Sequence, residues 1–387
     1  LSNLKEHSPE LFPTAARVPV PNDEFRFGLA ALLNAPNIGS SRALELVRLF
    51  GSPGQTLAAP AGEIASALNL PLRVGRSVHQ AARSLDGVKS RIAKATGIGA
   101  RLVSYWDADY PPRLKLTTDP PALLYILGEP SPLYEYSVAI VGTRAPTEHG
   151  ARLAFRIAAD LAQQGVAVVS GMATGIDGKA HEGALAAGGR TMAVLGTGID
   201  IVYPREHRSL YDRVAKQGQV VSELLPGTTP EPHNFPQRNR IISGVSIATL
   251  IVEAGTKSGA LITAKTAIEQ GRELFAVPGA AGTMRSAGVN RLIKDGTAHL
   301  AESAADIIER LKSQLAPVLN VAATLALPDL KGDEEKLYRL LEPGPMLIDD
   351  AIRKSGLGAV QLNRLLTTMQ LRGLVVRLPG ARIGRST

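Results

Sequence analysis

The stretch "VAIVGTRAPTEHG" (138–150) decides the fold. An apolar run without period-2 alternation ends on Gly142, and a helical pattern follows from about Glu148 to Gln164. A strand with no polar face is buried on both sides, as in a parallel sheet covered by helices. The same unit recurs downstream. "VAVVSG" (166–171) precedes a helix through "GKAHEGALAAG", and "TMAVLG" (191–196), "QVVSE" (219–223), "IATLIVEA" (247–254), "LFAVPG" (274–279) and "TAHLA" (297–301) complete the set. Glycine stands at many strand–helix junctions. The expected fold is α/β, with a Rossmann-like doubly wound, mostly parallel sheet over residues 100–312.

On the N-terminal side, residues 1–23 read as a proline-rich leader, and residues 24–99 as short helices broken by glycine and proline. Within them "LLNAPNIGSSRALELVRLF" (32–50) reads as a helix, a tight turn at Asn37-Ile38-Gly39, and a second helix N-capped by Ser40 or Ser41. That pattern is similar to a helix-hairpin-helix, whose turn amides contact DNA phosphate. It equally fits a helical packing module without a ligand, and both readings stay open. "YPPRLKLTTDPPALLYILGE" (110–129) reads as a proline-containing connector. On the C-terminal side a proline-broken linker (313–330) leads to three helices and a β-hairpin turning at Pro379-Gly380. Leu362, Leu365, Leu366 and Met369 mark the apolar stripe of the third helix. This arrangement over 331–387 predicts a winged helix.

The chain has 387 residues, 44% of them hydrophobic, a formal charge of +8 and a pI near 9.7. That length predicts more than one domain, and that charge favours anionic partners. Cysteine is absent, which excludes disulfides, thiolate metal sites and a cysteine nucleophile. Charges and prolines interrupt the first residues where a signal peptide needs an apolar core. No apolar run approaches the roughly 20 residues of a membrane span. A cytoplasmic protein without a membrane partner is expected. Aromatics make up only 4%, too few for base stacking to dominate, so a nucleic acid would be held mostly by its phosphates.

In an open α/β sheet the ligand lies beyond the carboxyl ends of the strands. There stand "GTRAPTEHG" (142–150), with Thr143 and Arg144, and "SGMATGID" (170–177), with Gly171. Both are glycine-bearing turns entering a helix, so free amides and helix dipoles are expected to converge on one anion. Neither is a G-x-G-x-x-G fingerprint, and no Walker lysine pattern occurs, so NAD and ATP are not supported and no cofactor is expected. "FPQRNRIISG" (235–244) then opens a helix near the same edge. Arg238 and Arg240 offer guanidinium forks matched to phosphate, Asn239 a phosphate or base contact, and Phe235 a stacking face. A competing internal network through Glu223 and Glu253 would take one arginine and leave the other to the ligand. Lys257, Ser258 and Gly259 in "EAGTKSGALITAK" extend the phosphate track, while Asn290 and Arg291 read as packing or dimer contacts. Acid–base candidates are Glu223, Glu253, Asp177 and His181. Asp177 is explained as a helix N-cap and His181 as a packing residue. No nucleophile elbow or metal-ligand cluster is recognisable, so no enzyme is expected.

Taken in order, "VAIVGTRAPTEHG", "SGMATGIDGKAHEGAL", "AVLGTGIDIVYPREH", "SELLPG", "FPQRNRIISG", "IVEAGTKSGALITA", "AVPG" and "NRLIKDG" strongly resemble the DprA/Smf family. These are bacterial DNA-processing proteins of natural transformation. The resemblance runs from about Tyr110 to Gly296, and the flanks agree with the family's layout of a helical SAM-like domain and a winged helix. It implies a non-enzymatic protein that binds and protects single-stranded DNA and helps load the RecA recombinase in place of single-strand-binding protein. It also implies a homodimer formed through the Rossmann-like domain. Positions matching the family's basic DNA pocket are Arg144, Gly171, Phe235, Arg238 and Arg240. Thr143 stands where many relatives carry serine and keeps the hydroxyl. Some relatives place a lysine shortly before the phenylalanine, where this chain has Pro232-His233-Asn234, so that contact would fall to Lys257 or His233. The alternative is a nucleotide phosphoribohydrolase-like enzyme on the same fold. Its P-G-G-x-G-T signature is replaced here by "EAGTKSG".

Overall fold

The computed structural model describes residues 18–325, 330, 332–341, 344–371, 374–378 and 380–385. The chain divides into two compact units, Leu1–Asn320 and Val321–Thr387. Most of the expected leader, residues 1–17, lies outside the described residues, as do 326–329 of the expected linker.

The first unit begins with helices α1 (Asp23–Leu33), α2 (Ser40–Phe50), α3 (Pro53–Ala58), α4 (Ala61–Ala67), α5 (Leu72–Arg83) and α6 (Leu85–Gly97). Asn22 caps α1, its side chain accepting from the Phe25 amide at 2.9 Å. The second helix differs from expectation. Gly39 is its N-cap, and Ser40 and Ser41, already helical, turn their hydroxyls to Glu223 (2.8 Å) and Asp119 (2.7 Å). Carboxylates at a helix N-terminus take the place a phosphate would hold. The hairpin start therefore packs against the rest of the unit instead of standing free.

Among the described residues, nine strands form one sheet in the order β1-β2-β6-β5-β4-β3-β7-β8-β9. They are β1 (Arg101–Ser104), β2 (Leu123–Gly128), β3 (Ser137–Val141), β4 (Ala167–Ser170), β5 (Thr191–Val194), β6 (Gln219–Ser222), β7 (Ala248–Ile251), β8 (Glu273–Ala276) and β9 (His299–Leu300). From β6 to β9 every pairing is parallel, while β1 and β2 are antiparallel additions at the β6 edge. Crossover helices α8 (Glu148–Gln163), α9 (Ile176–Ala186), α10 (Arg208–Gln217), α11 (Asn234–Val245), α12 (Ala260–Glu269), α13 (Ala287–Lys294) and α14 (Ala304–Leu325) follow α7 (Pro112–Lys115). On β3, Val138 and Ile140 face α8, α9 and α14, whereas Ala139 and Val141 face α11 and α12. Burial on both sides explains the unbroken apolar strands.

Two segments depart from the sequence reading. The stretch taken as a connector contains β2, whose Leu123 and Tyr125 pack under the N-terminal helices while Leu124 and Ile126 join the core beneath α11. Pro120-Pro121, one residue before it, masks the strand signal, and its second buried face is covered by the N-terminal helices together with α10. The expected linker is likewise helical as far as Leu325, with Pro317 inside α14. An interior proline costs about 3 kcal/mol. Burial of Leu311, Leu315 and Val318 against the sheet offsets that cost, since each buried large aliphatic contributes about 1.5–3 kcal/mol.

The second unit contains α15 (Asp333–Leu340), β10 (Met346–Leu347), α16 (Ile348–Ser355), α17 (Ala359–Leu371), β11 (Val375–Leu378) and β12 (Arg382–Arg385), with strand order β10-β12-β11. Leu362, Leu366 and Met369 of α17 are fully buried with Leu337, Ala351, Val375 and Ile383. Three helices closed by an antiparallel hairpin are the expected winged helix. Pro379 lies outside the described residues. The hairpin turns at Gly380 and Ala381, both in the left-handed region (φ 80° and 54°).

Candidate functional site

Strand β3 is where the winding reverses. From it the chain steps outward through β4, β5 and β6, then returns to place β7 on its other side. The loops leaving β3 and β7 therefore diverge, and a crevice opens beyond the carboxyl ends. A cavity of about 910 Å³ lies there, lined by residues that include Thr143, Arg144, Asp177, Phe235, Arg238, Asn239, Lys257 and Arg285.

The first loop is bolted down from both sides. The Thr143 amide donates to the Glu253 carbonyl (2.8 Å), and its carbonyl accepts from the Ile176 amide (3.2 Å). A side chain on Gly142 would meet Ile176 at 2.6 Å, so only glycine fits this crossing. The next residue is forced outward. Arg144 is exposed, with its guanidinium 5.4 Å from the centroid of the Phe235 ring, a cation–π arrangement. Phe235 in turn lies 5.5 Å from Tyr203, and its edge fills the space a side chain on Gly196 would occupy.

The amides expected to receive an anion are already occupied. Thr147 caps α8 by accepting from the Gly150 amide (3.0 Å), and its own amide and hydroxyl donate to Glu253. The carboxylate of Asp177 accepts from the Gly171 amide (3.2 Å) and the Ala173 amide (3.4 Å). Asp177 is not the N-cap; Gly175 is, and Asp177 reaches back from the first turn of α9. The reading of two free helix N-termini is thus corrected: the protein's own carboxylates fill them. What faces outward is side-chain charge. Arg144, Lys257 and Arg285 are exposed, and none makes a hydrogen bond or ion pair among the described residues.

The two arginines of the α11 motif go separate ways. Arg238 is only 6% exposed and forms the cavity floor. It donates to the carbonyls of Gly171 (2.6 Å) and Val194 and to the Asn239 side chain (3.2 Å). Gly171 has no room for a side chain, which would come within 2.6 Å of the Asp177 carboxylate and 2.7 Å of the Arg238 guanidinium. Burial brings the Arg238 pKa down to about 10, with Asp177 pulling it back up. Burial also raises the Asp177 carboxyl, against the pull of Arg238 and the two amides. Arg240 does not share this cavity. It lines a second one of about 590 Å³, where it donates to both oxygens of Glu223 (2.6 Å each) and to the Asp119 carbonyl (2.7 Å). The expectation that one arginine would be structural and the other face the ligand therefore understates the internal network, which engages both.

The acid–base candidates are equally engaged. Glu223 holds Arg240 and Ser40, while Glu253 holds Thr147. His181 is fully buried, its Nδ1 bonded to the Thr191 hydroxyl at 2.7 Å, and burial drives its pKa down to about 3. Asn290 exchanges hydrogen bonds with the Gly279 backbone, and Arg291 pairs with Asp295. Sequence reasoning missed Arg285 and Tyr203. Arg285 stands in the loop after β8, and the rule of reading each strand's carboxyl end would have found it. No such signal marks Tyr203, which reaches the mouth from the segment between β5 and α10.

Residues 101–312 match the family model described as DNA recombination-mediator protein A, and residues 321–381 match the DprA winged helix domain. Protein Smf of Synechocystis is 36% identical over 312 residues, which span 72% of this chain and 78% of that protein. The DNA processing protein DprA of Bacillus subtilis is 42% identical over 214 residues, covering 55% and 72%. Among solved structures, that of DprA from Streptococcus pneumoniae superposes with a TM-score of 0.64 at 32% identity, over 73% of this chain and 97% of its own. The DNA processing protein A of Helicobacter pylori, described for its single-stranded DNA binding mode, gives 0.50 at 28% identity over 56% and 96%. Sheet, winged helix and sequence agree: the chain belongs to the DprA/Smf family of DNA-processing proteins.

Proposed function

We propose that this protein binds single-stranded DNA by its backbone at the mouth beyond β3 and β7, without catalysing a reaction on it. The observation that carries the reading is the set of three exposed cations, Arg144, Lys257 and Arg285, that ring one cavity and have no ion-pair partner among the described residues. Guanidinium and ammonium groups left unpaired by the fold are the ones able to neutralise phosphate. Phe235, half-buried with Arg144 over its face, offers a ring against which a splayed base can stack. Thr143 and Asn239 add a hydroxyl and an amide on the same wall. Arg238 acts from below, fixing the Gly171 turn and the α11 end that present these groups.

The biological role that fits is handling of incoming single strands in transformation and recombination: protecting them and helping RecA replace single-strand-binding protein. The expected homodimer would place two mouths along one strand, raising avidity through effective concentration. Support comes from family membership and from the Helicobacter pylori relative, described for its single-stranded DNA binding mode.

The test is a binding series with single- and double-stranded oligonucleotides at several salt concentrations. Three neutralised phosphates predict a log–log salt slope of about −2 from this site, at about −0.7 per phosphate. Equal or tighter duplex binding, or a salt-independent affinity, would defeat the reading.

A further inference from the structure

Helix α5 has a polar face that nothing in the described protein answers. Its twelve residues, "LRVGRSVHQAAR", carry three arginines and a histidine, and no Asp or Glu occurs between Glu63 and Asp86. At 100° per residue, Arg73, Arg76, Gln80 and Arg83 fall within an arc of about 80°. All four are exposed. Val74, Gly75, Val78 and Ala81 occupy the opposite side and are buried. Arg76, His79, Gln80 and Arg83 line a shallow concavity of about 610 Å³, in which His79 is fixed by the Ala59 carbonyl at 2.5 Å.

Solvated helices ordinarily interleave signs, so that i,i+4 partners neutralise one another. Several other basic residues of this module do have partners: Arg26 bonds Asp107, Lys89 bonds Glu24, and Arg91 bonds the Pro226 carbonyl. Arg73, Arg76 and Arg83 make no hydrogen bond or ion pair among the described residues. The row spans about 15 Å along the helix axis, at 1.5 Å per residue. The middle of the row lies beside the hairpin turn, because the Ser77 hydroxyl bonds the Pro36 carbonyl at 3.0 Å.

We infer that α5 is a second polyanion-binding surface, one that grips the phosphate backbone of single-stranded DNA running past the sheet-edge mouth. A linear row of forked donors suits a chain of phosphates better than a single anion. An anionic membrane is the weaker fit. Interfacial helices bury an apolar face in lipid, and the apolar face of α5 is used up inside the module. The inference rests on the reading that the chain binds single strands, and it adds a surface separate from the cavity proposed for that role.

The experiment compares the full chain with Arg73→Gln/Arg76→Gln/Arg83→Gln on oligo-dT of about 10 and about 40 nucleotides, the shorter within the ~4–16 nucleotides one binding module covers. On the long oligomer the triple variant should bind at least tenfold more weakly, with a salt slope shallower by about 2, from about 0.7 for each lost contact. On the short one it should match the parent. The corresponding triple lysine variant should restore most of the slope, and unchanged thermal unfolding shows that the fold is intact. An unaltered slope on the long oligomer overturns the inference. So does loss of binding to phosphatidylserine vesicles with DNA binding intact. If that happens while Arg144→Ala still weakens both oligomers, only the α5 surface falls. If Arg144→Ala changes neither oligomer while the triple variant acts, only the cavity reading falls. Absence of single-strand binding by the parent chain overturns both.

Discussion

Two arginine-lined cavities flank α11, and they differ in how their charge is used. The mouth beyond β3 and β7 has Arg238 at its floor and Arg144, Lys257 and Arg285 at its rim. The cleft between the N-terminal helices and the sheet has Arg240, but also Asp119, Glu223, Ser40 and Ser41. Positions 238 and 240 are 200° apart on a helix, so neighbours in the motif point to opposite sides. In the cleft every fork is matched by a carboxylate or carbonyl, and the result is a clamp. At the mouth the matched arginine lies below and the unmatched cations stand above, and the result is a receptive surface. Arginine content does not make an anion site; the absence of an internal partner does.

The largest effect should come from the floor. Arg238→Ala leaves the buried carbonyls of Gly171 and Val194 without their donor, at about 1–3 kcal/mol for each. Urea unfolding measures it, and a loss below about 1 kcal/mol would mean that the floor is wet. His181 tests the same seal by pH. Its folded pKa, about 3, lies below the unfolded value near 6.5, so the stability its burial permits is present above pH 6.5. As pH falls below 6.5 the unfolded chain takes up the proton first. Stability should then drop with a slope approaching about 1.4 kcal/mol per pH unit, and His181→Gln should remove that slope.

On the other side of α11, Arg240→Ala should cost about 1–3 kcal/mol, the loss of one partner from a part-buried charged hydrogen bond. A double-mutant cycle with Glu223→Gln should show that the two changes are coupled. Single-strand affinity should move little. If it falls as far as in rim variants, the distinction between clamp and receptive surface fails. Arg144→Ala should give the converse: normal unfolding, binding weaker by about tenfold or ~1.4 kcal/mol, and a slope shallower by about 0.7. Lys257→Ala and Arg285→Ala should each show a smaller loss of the same kind, because neither is stacked on a ring.

Much of this was legible in the sequence. Six of the seven parallel strands, β3 to β8, announce themselves because they are buried on both faces, and the glycines near their ends mark where the chain must turn tightly. The stripe of Leu362, Leu366 and Met369 gives the winged helix its core. β2 was not legible, since part of what buries it is contributed by helices about 100 residues earlier. The continuation of α14 past Pro317 was hidden too, because a local rule against proline was overridden by contacts with a distant sheet. Of the site, the loops and Arg144 could be read directly, and Arg285 was within reach of the same strand-end rule; Tyr203 could not be brought to the mouth without the fold.

The sequence alone determined which segments cross the sheet, which end of it would be open, and which cations lie near that end, because periodicity and strand-end position are local properties of the chain. Which cations remain available was decided only by the tertiary structure. Glu223, Asp119 and Glu253 reach their partners from remote positions, and a charge is free or spent according to what the folded chain places within hydrogen-bond distance of it.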